Sequence, residues 1–283
     1  MKKPAPRRKP AVQKPKKKKS FFSGNVLKFS LWAFFILLLA GTAYHYREGL
    51  AYYFSFKTDK RLAEEKRIAD VRIYQVLSKH ENKVYGFDVS EYQGDVDWEK
   101  ANAIEEKFPL GFVFIRATAG KNRVDATFKD NWKEAKKHKL IRGAYHYYRP
   151  NENSIEQANN FIKTVKLHKG DLPPVLDIEK LPKEQSIDSL KVGLKRWLKK
   201  VEKHYNVKPI IYSGESYYND FLKEEFKGYT FWIANYNFFE ETIKDEWLFW
   251  QFTEKATVPG IKGTVDVNIY NGTQKQLQYF TIN

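Results

Sequence analysis

The chain has 283 residues, 42% hydrophobic and 16% aromatic, which is material for one large domain or two small ones, and it contains no cysteine, which excludes disulfides, thiolate nucleophiles and cysteine-based zinc sites. A net charge of +16 raises nucleic acid as a partner, but its distribution argues against one. Residues 1–28 hold 11 Lys/Arg and no acid, residues 47–83 hold 9 basic and 6 acidic residues, and residues 84–283 are left with about +2.

In chain order, residues 1–28 read as a disordered Pro- and Lys-rich tail. Residues 29–46, FSLWAFFILLLAGTAYHY, carry no formal charge. At about 1.5 Å per residue such a helix spans roughly 27 Å, close to a hydrocarbon core of about 30 Å. Trp32, Tyr44 and Tyr46 lie near its ends, where interfacial aromatics sit. The expectation is a membrane signal-anchor, with the basic tail cytoplasmic by the positive-inside bias and the rest outside, in the periplasm or cell wall. A signal peptide cut near Ala43, releasing a secreted protein, and a buried core helix are the competing readings. Residues 47–83 read as a helical stalk, with an imperfect apolar stripe of Leu62, Ile68, Val71, Ile73, Val76 and Leu77.

From residue 84 to 283, strands alternate with helical stretches. Strands are expected at VYGFDVS, GFVFIRAT, IRGAYHYY, PPVLDIE and KPIIYSG. Helices are expected at VDWEKANAIEEK (residues 96–107), ATFKDNWKEAKKHK, SIEQANNFIKTVKLH and SIDSLKVGLKRWLKKVEKHY. Strand–helix alternation implies a parallel sheet. YTFWIANY, WLFWQFT and a strand at VDVN follow with little room for helices. The pattern implies an α/β fold, an irregular or shortened (β/α) barrel of TIM type, with an open doubly wound sheet as the alternative. No G-x-G-x-x-G or P-loop follows any strand.

The chemistry-bearing stretch is PPVLDIEK. Alternate residues of a strand share a face, with Cα atoms about 6.5–7 Å apart. Asp177 and Glu179 therefore project together at a strand end, where barrel active sites form. Asp88 ends the first strand in the same way, and Asp266 lies near the last. Close carboxylates raise one another's pKa. Glycoside hydrolysis needs such a pair: an acid for the leaving oxygen and a carboxylate for the developing cation. Solvated charges at a surface strand end, or a metal site, are the other readings. Tyr145, Tyr147, Tyr148, Tyr212, Trp232, Asn235, Tyr236, Trp250 and Gln251 also gather at strand ends, a set suited to stacking and hydrogen-bonding sugar rings. Trp232 and Tyr148 serve equally as core, and His146 reads as a hydrogen-bonded core histidine.

These blocks resemble the glycoside hydrolase family 25 muramidases. YGFDVSEYQGDVDW, FVFIRATAG, GAYHYY, PVLDIE, IIYSG, FWIANY, WQFT and VDVN follow in that family's order over about residues 84–275. The resemblance implies a (β/α)5β3 barrel that cuts the β-1,4 bond between N-acetylmuramic acid and N-acetylglucosamine in peptidoglycan. It implies Glu179 as general acid, with Asp177 and Asp88 as catalytic partners. Asp266, Tyr145, Tyr147, Tyr212, Trp250, Gln251 and Arg116 are then expected to bind substrate. No metal or organic cofactor is implied, and the partners are glycan strands and, through residues 29–46, a membrane. One position departs: Ala119 stands in ATAG where the family often has an acidic or amide residue. A chitinase-like hydrolase and a catalytically silent peptidoglycan-binding tether are the rival functions.

Overall fold

A computed structural model describes residues 24–283; the expectation for the basic tail falls largely outside them. The chain divides into two units, Met1–Ala63 and Glu64–Asn283. In the first, α1 spans Gly24–His45. Its stretch Lys28–His45 is long and apolar enough to cross a membrane, and none of it is buried. A signal sequence has the same properties.

The helix α2 runs Arg47–Lys79. Its last turns belong to the second unit. Ile73, Val76 and Leu77 are buried in the same cluster as Tyr85 and Phe108, so the expected stalk ends as part of the folded core.

The second unit continues with β1 (Val84–Val89), a 3-10 turn (Glu91–Gln93), β2 (Ala103–Ile104), β3 (Phe108–Ala119), β4 (Arg123–Val124) and α3 (Phe128–Lys137). Next come β5 (Ile141–Tyr147), α4 (Ser154–Thr164), β6 (Val175–Asp177), α5 (Ile187–Tyr205), β7 (Ile210–Gly214) and α6 (Glu215–Tyr217). A π turn (Tyr218–Leu222), β8 (Thr230–Ala234), β9 (Phe249–Ala256), β10 (Val265–Tyr270) and α7 (Gln274–Phe280) complete it. Eight strands close on themselves in the order β1-β10-β9-β8-β7-β6-β5-β3, with β3 pairing back to β1. All neighbours are parallel except at β10, which runs antiparallel to both β9 and β1.

The barrel follows from period-2 alternation. Along β1, Tyr85, Phe87 and Val89 face the outer helical layer, and Val84 faces the barrel interior. Gly86 and Asp88 share the inward side with Val84. Two glycines make the interior fit. Gly86 lies opposite Phe112 and Gly143 opposite Phe114. A Cβ at either would stand 2.5 Å from the facing phenyl ring. Phe114 stacks on Trp232 at 4.2 Å and meets Phe249 edge-on at 5.1 Å, filling the barrel's lower half.

Outside, α5 buries Leu190, Leu194, Trp197, Leu198 and Val201, one helical stripe. The Ser186 side chain caps its first turn, and Asn206 ends it in the left-handed conformation (φ 54°).

The helix expected over 96–107 is absent. Trp98, Ala101 and Ile104 are buried, as a helical stripe would be. They are presented by turns and by a two-residue pairing of β2 with β3. Backbone bonds from Asp97 N–H to Gly260 O (2.9 Å) and from Glu105 N–H to Thr257 O (3.0 Å) tie the segment to a distant loop. Glu105 and Glu106 lie at φ 48° and 55°, which stops a right-handed helix. β7 is likewise followed only by the three-residue α6 and the π turn.

Candidate active site

Each barrel strand sends at least one residue to the upper end of the interior: Asp88 (β1), Arg116 (β3), Tyr145 (β5), Asp177 (β6), Tyr212 (β7), Trp232 (β8), Gln251 (β9) and Asp266 (β10). Together they floor a cleft of about 590 Å³. Glu179 lies just past the end of β6, on the same side as Asp177, while Ile178 between them packs into the outer core. A second cavity of about 750 Å³ shares Glu179, Tyr212 and Tyr236 with the first, so the groove extends to both sides of Glu179.

Asp88 and Asp266 are direct cross-strand partners. Such pairs place Cβ atoms about 4.5–5.5 Å apart. Asp88 Oδ2 accepts from Gln251 Nε2 and from Asn268 Nδ2, both at 2.8 Å. Each amide is oriented by another group. Tyr212 and Tyr236 hydroxyls donate to Gln251 Oε1, and Trp232 Nε1 donates to Asn268 Oδ1 at 2.7 Å. Asp177 differs: its Oδ1 is buried with no hydrogen-bond partner among the described residues. A buried carboxyl oxygen left bare is expensive and marks a site with another use for it.

The carboxyls are all held above their ordinary values. Burial raises Asp88 most, then the charge of Asp266, against the two amide donors. Burial also leads for Asp177, followed by Glu179 and Asp88. Glu179 opens into the groove, yet loss of water around its carboxyl still raises it, against Lys180. Asp266 is raised to about 6 by burial, then by Glu254 and Glu179. The cluster therefore combines protons held at higher pH than ordinary carboxyls with at least one ionisable partner, which is the requirement for acid/base work.

Arg116 is fixed rather than free. It donates to Asp125 at 2.8 Å and to Glu91 at 2.9 Å, and its guanidinium carbon lies 4.5 Å from the Tyr92 ring. Tyr147 lines the same cleft, with the Lys180 ammonium 5.7 Å from its ring. Ala119 is also in the lining, opposite Arg123 of β4.

Of the residues expected in the groove, Trp250 is not there. It is fully buried in the outer core, packed edge-on against His80 at 6.0 Å, with its indole N–H on Asn235 O. The cause is the strand period: Gln251 faces in, so its neighbour must face out. Tyr148 is buried in the outer core as well. His146 is a core histidine, bonded to Thr118 and Gln157 and stacked on Trp197, with burial pushing its pKa down to about 3. Sequence reasoning missed Asn268, which the same i, i+2 rule would have found beside Asp266. It also missed Glu91, Asp125 and Glu254, which carry no local signal.

The family model "Glycosyl hydrolases family 25" matches residues 87–261. Lysozyme M1 of Streptomyces globisporus is 31% identical over 210 residues, covering 69% of this chain and 70% of that protein. The protein YegX of Escherichia coli O157:H7, described as uncharacterized, is 39% identical over 201 residues, covering 70% of this chain and 73% of its own length. A family 25 glycosyl hydrolase structure from Bacillus anthracis superposes with a TM-score of 0.64 at 30% identity, covering 72% of this chain and 95% of that one.

Proposed function

Because the chain belongs to glycosyl hydrolases family 25 and is a glycoside hydrolase of the muramidase kind, we propose that it cuts the β-1,4 bond between N-acetylmuramic acid and N-acetylglucosamine of peptidoglycan, with Glu179 as proton donor. The observation that carries this reading is the bare Asp177 Oδ1 beside Glu179 at the centre of the groove. Asp177 accepts the acetamido N–H of the muramic acid and turns the amide oxygen toward the anomeric carbon. Glu179 gives its proton to the bridging oxygen as the C–O bond breaks, and the amide oxygen takes the anomeric carbon. Water then opens that ring, losing its proton to the Glu179 carboxylate, and configuration is retained. Asp88 and Asp266 set the negative potential under the cationic centre. Tyr145, Tyr147, Tyr212, Gln251 and Arg116 shape the binding surface.

We read the barrel as the (β/α)5β3 type with its first connection reduced to turns, and α1 as an uncleaved membrane anchor that holds the barrel outside the cytoplasmic membrane. Fractionation tests the anchor: the intact chain is expected with membranes, and recovery of a shortened chain in the secreted fraction would contradict it. Product analysis tests the reaction. Peptidoglycan digested by the full chain and reduced with borohydride should gain reduced muramic acid ends. Reduced glucosamine ends, or preferential cleavage of chitin, would contradict the bond assignment. Binding without new ends would favour the silent tether.

A further inference from the structure

The connection from β8 to β9 walls the groove at Asn235 and Tyr236, and much of what holds it from behind comes from α2. Arg72 is only 7% exposed, yet no carboxylate meets it among the described residues. Its guanidinium donates to three backbone carbonyls: Phe252 (2.5 Å), Asn237 (2.8 Å) and Glu240 (3.5 Å). A buried cation without a counter-ion is expensive, so the contacts it makes need a reason.

The reason lies one residue away on each side. Asn237 follows Tyr236, and Phe252 follows Gln251. The side chains of Tyr236 and Gln251 bond each other across the groove wall. Arg72 thus ties together the backbones of two residues adjoining that bonded pair. Gln251 in turn donates to Asp88 at 2.8 Å. His80 adds a further tie. Its Nδ1 faces Val76 O at 2.7 Å and its Nε2 accepts from Ile243 N–H at 3.3 Å, a tautomer fixed because a carbonyl only accepts and an amide N–H only donates.

We propose that Arg72 is a positioning residue for the muramidase reaction: from behind the β8–β9 connection it holds Tyr236 against Gln251, and so fixes the amide that faces Asp88. This rests on the groove being the catalytic site. Arg72 lies before the region matched by the family model, residues 87–261, so the working site begins upstream of that region.

The test compares Arg72→Met, Arg72→Lys, Tyr236→Phe and the Arg72→Met/Tyr236→Phe double variant in the full chain. Arg72→Met should raise KM for peptidoglycan about fivefold with kcat within about twofold, because a loosened groove wall weakens ground-state and transition-state binding alike. Hydrogen exchange over residues 236–243 should quicken about tenfold while β5 and β6 stay unchanged. The double variant should be no worse than the worse single, since both break one chain of contacts. Arg72→Lys, which keeps a single donor group, should fall between. Multiplying effects in the double variant, or exchange that quickens uniformly with KM unmoved, would overturn the proposal. If Arg72→Met fails to fold, Arg72→Lys decides, and wild-type KM and exchange in it would overturn the proposal. Exchange is read without turnover, so a failure of the assigned reaction is distinguishable from a failure of Arg72.

Discussion

Below the groove the barrel interior is filled by Phe112, Phe114 and Phe249; two residues beyond Gly86, Phe114 and Phe249 on the same faces it holds Asp88, Arg116 and Gln251. The lower layer is mainly rings packed against glycine. The upper layer is four raised carboxyls, with amides and hydroxyls that orient one of them, Asp88. One set of strands therefore supplies stability at one height and chemistry at the next, and the second is tolerated because the first is well packed.

The largest effects on stability are expected in the lower layer. Phe114→Ala should cost about 3–5 kcal/mol, from lost burial and the cavity left under Trp232. Chemical denaturation measures it, and a loss below about 1 kcal/mol would mean the ring stack is not what holds the barrel closed. In the upper layer Asp177→Asn should reduce turnover about a hundredfold, equivalent to about 2.7 kcal/mol of transition-state stabilisation. The overfilling variant Gly86→Ala should destabilise by about 1–3 kcal/mol, because the new methyl meets the Phe112 ring.

Two smaller effects concern the protons of the upper layer. Asp177 has its folded pKa raised above the ordinary 3.8. The penalty for ionising it is thus absent below the unfolded pKa and complete once the pH exceeds the folded one. Asp177→Asn should therefore raise the melting temperature at pH 8 by about 3 °C and leave it unchanged at pH 3. Calorimetry at both values tests the sign, and an equal change at both would refute the ionisation cost. Asp266 titrates at about 6 partly because Glu254 is near. Glu254→Gln should lower that value by about half a unit, followed by carboxyl NMR.

The acidic part of the upper layer was legible because strand period predicts it, whereas Arg116 entered only through the family resemblance. Asp177 with Glu179, and Asp88 at the end of β1, need only the i, i+2 rule. The same rule, applied more strictly, removes Trp250 and adds Asn268. The segment 96–107 misled because apolar residues three apart fit either a helix stripe or a loop pinned to the barrel, and only the contact with Gly260 decides. Arg72 could not be read at all: its acceptors are backbone carbonyls 165, 168 and 180 residues away, with no side-chain signature. Glu91 and Asp125 are similar, since their role is to hold Arg116 across a loop.

Glu179→Gln, assayed beside the wild-type chain for both turnover on peptidoglycan and melting temperature, bears hardest on the division between the layers. Turnover should fall by at least about a thousandfold, because the amide keeps the shape and loses the proton, while the melting temperature stays within about 2 °C. Near-normal turnover in that variant would remove Glu179 as the acid and, with it, the reading of the upper layer as the seat of the chemistry.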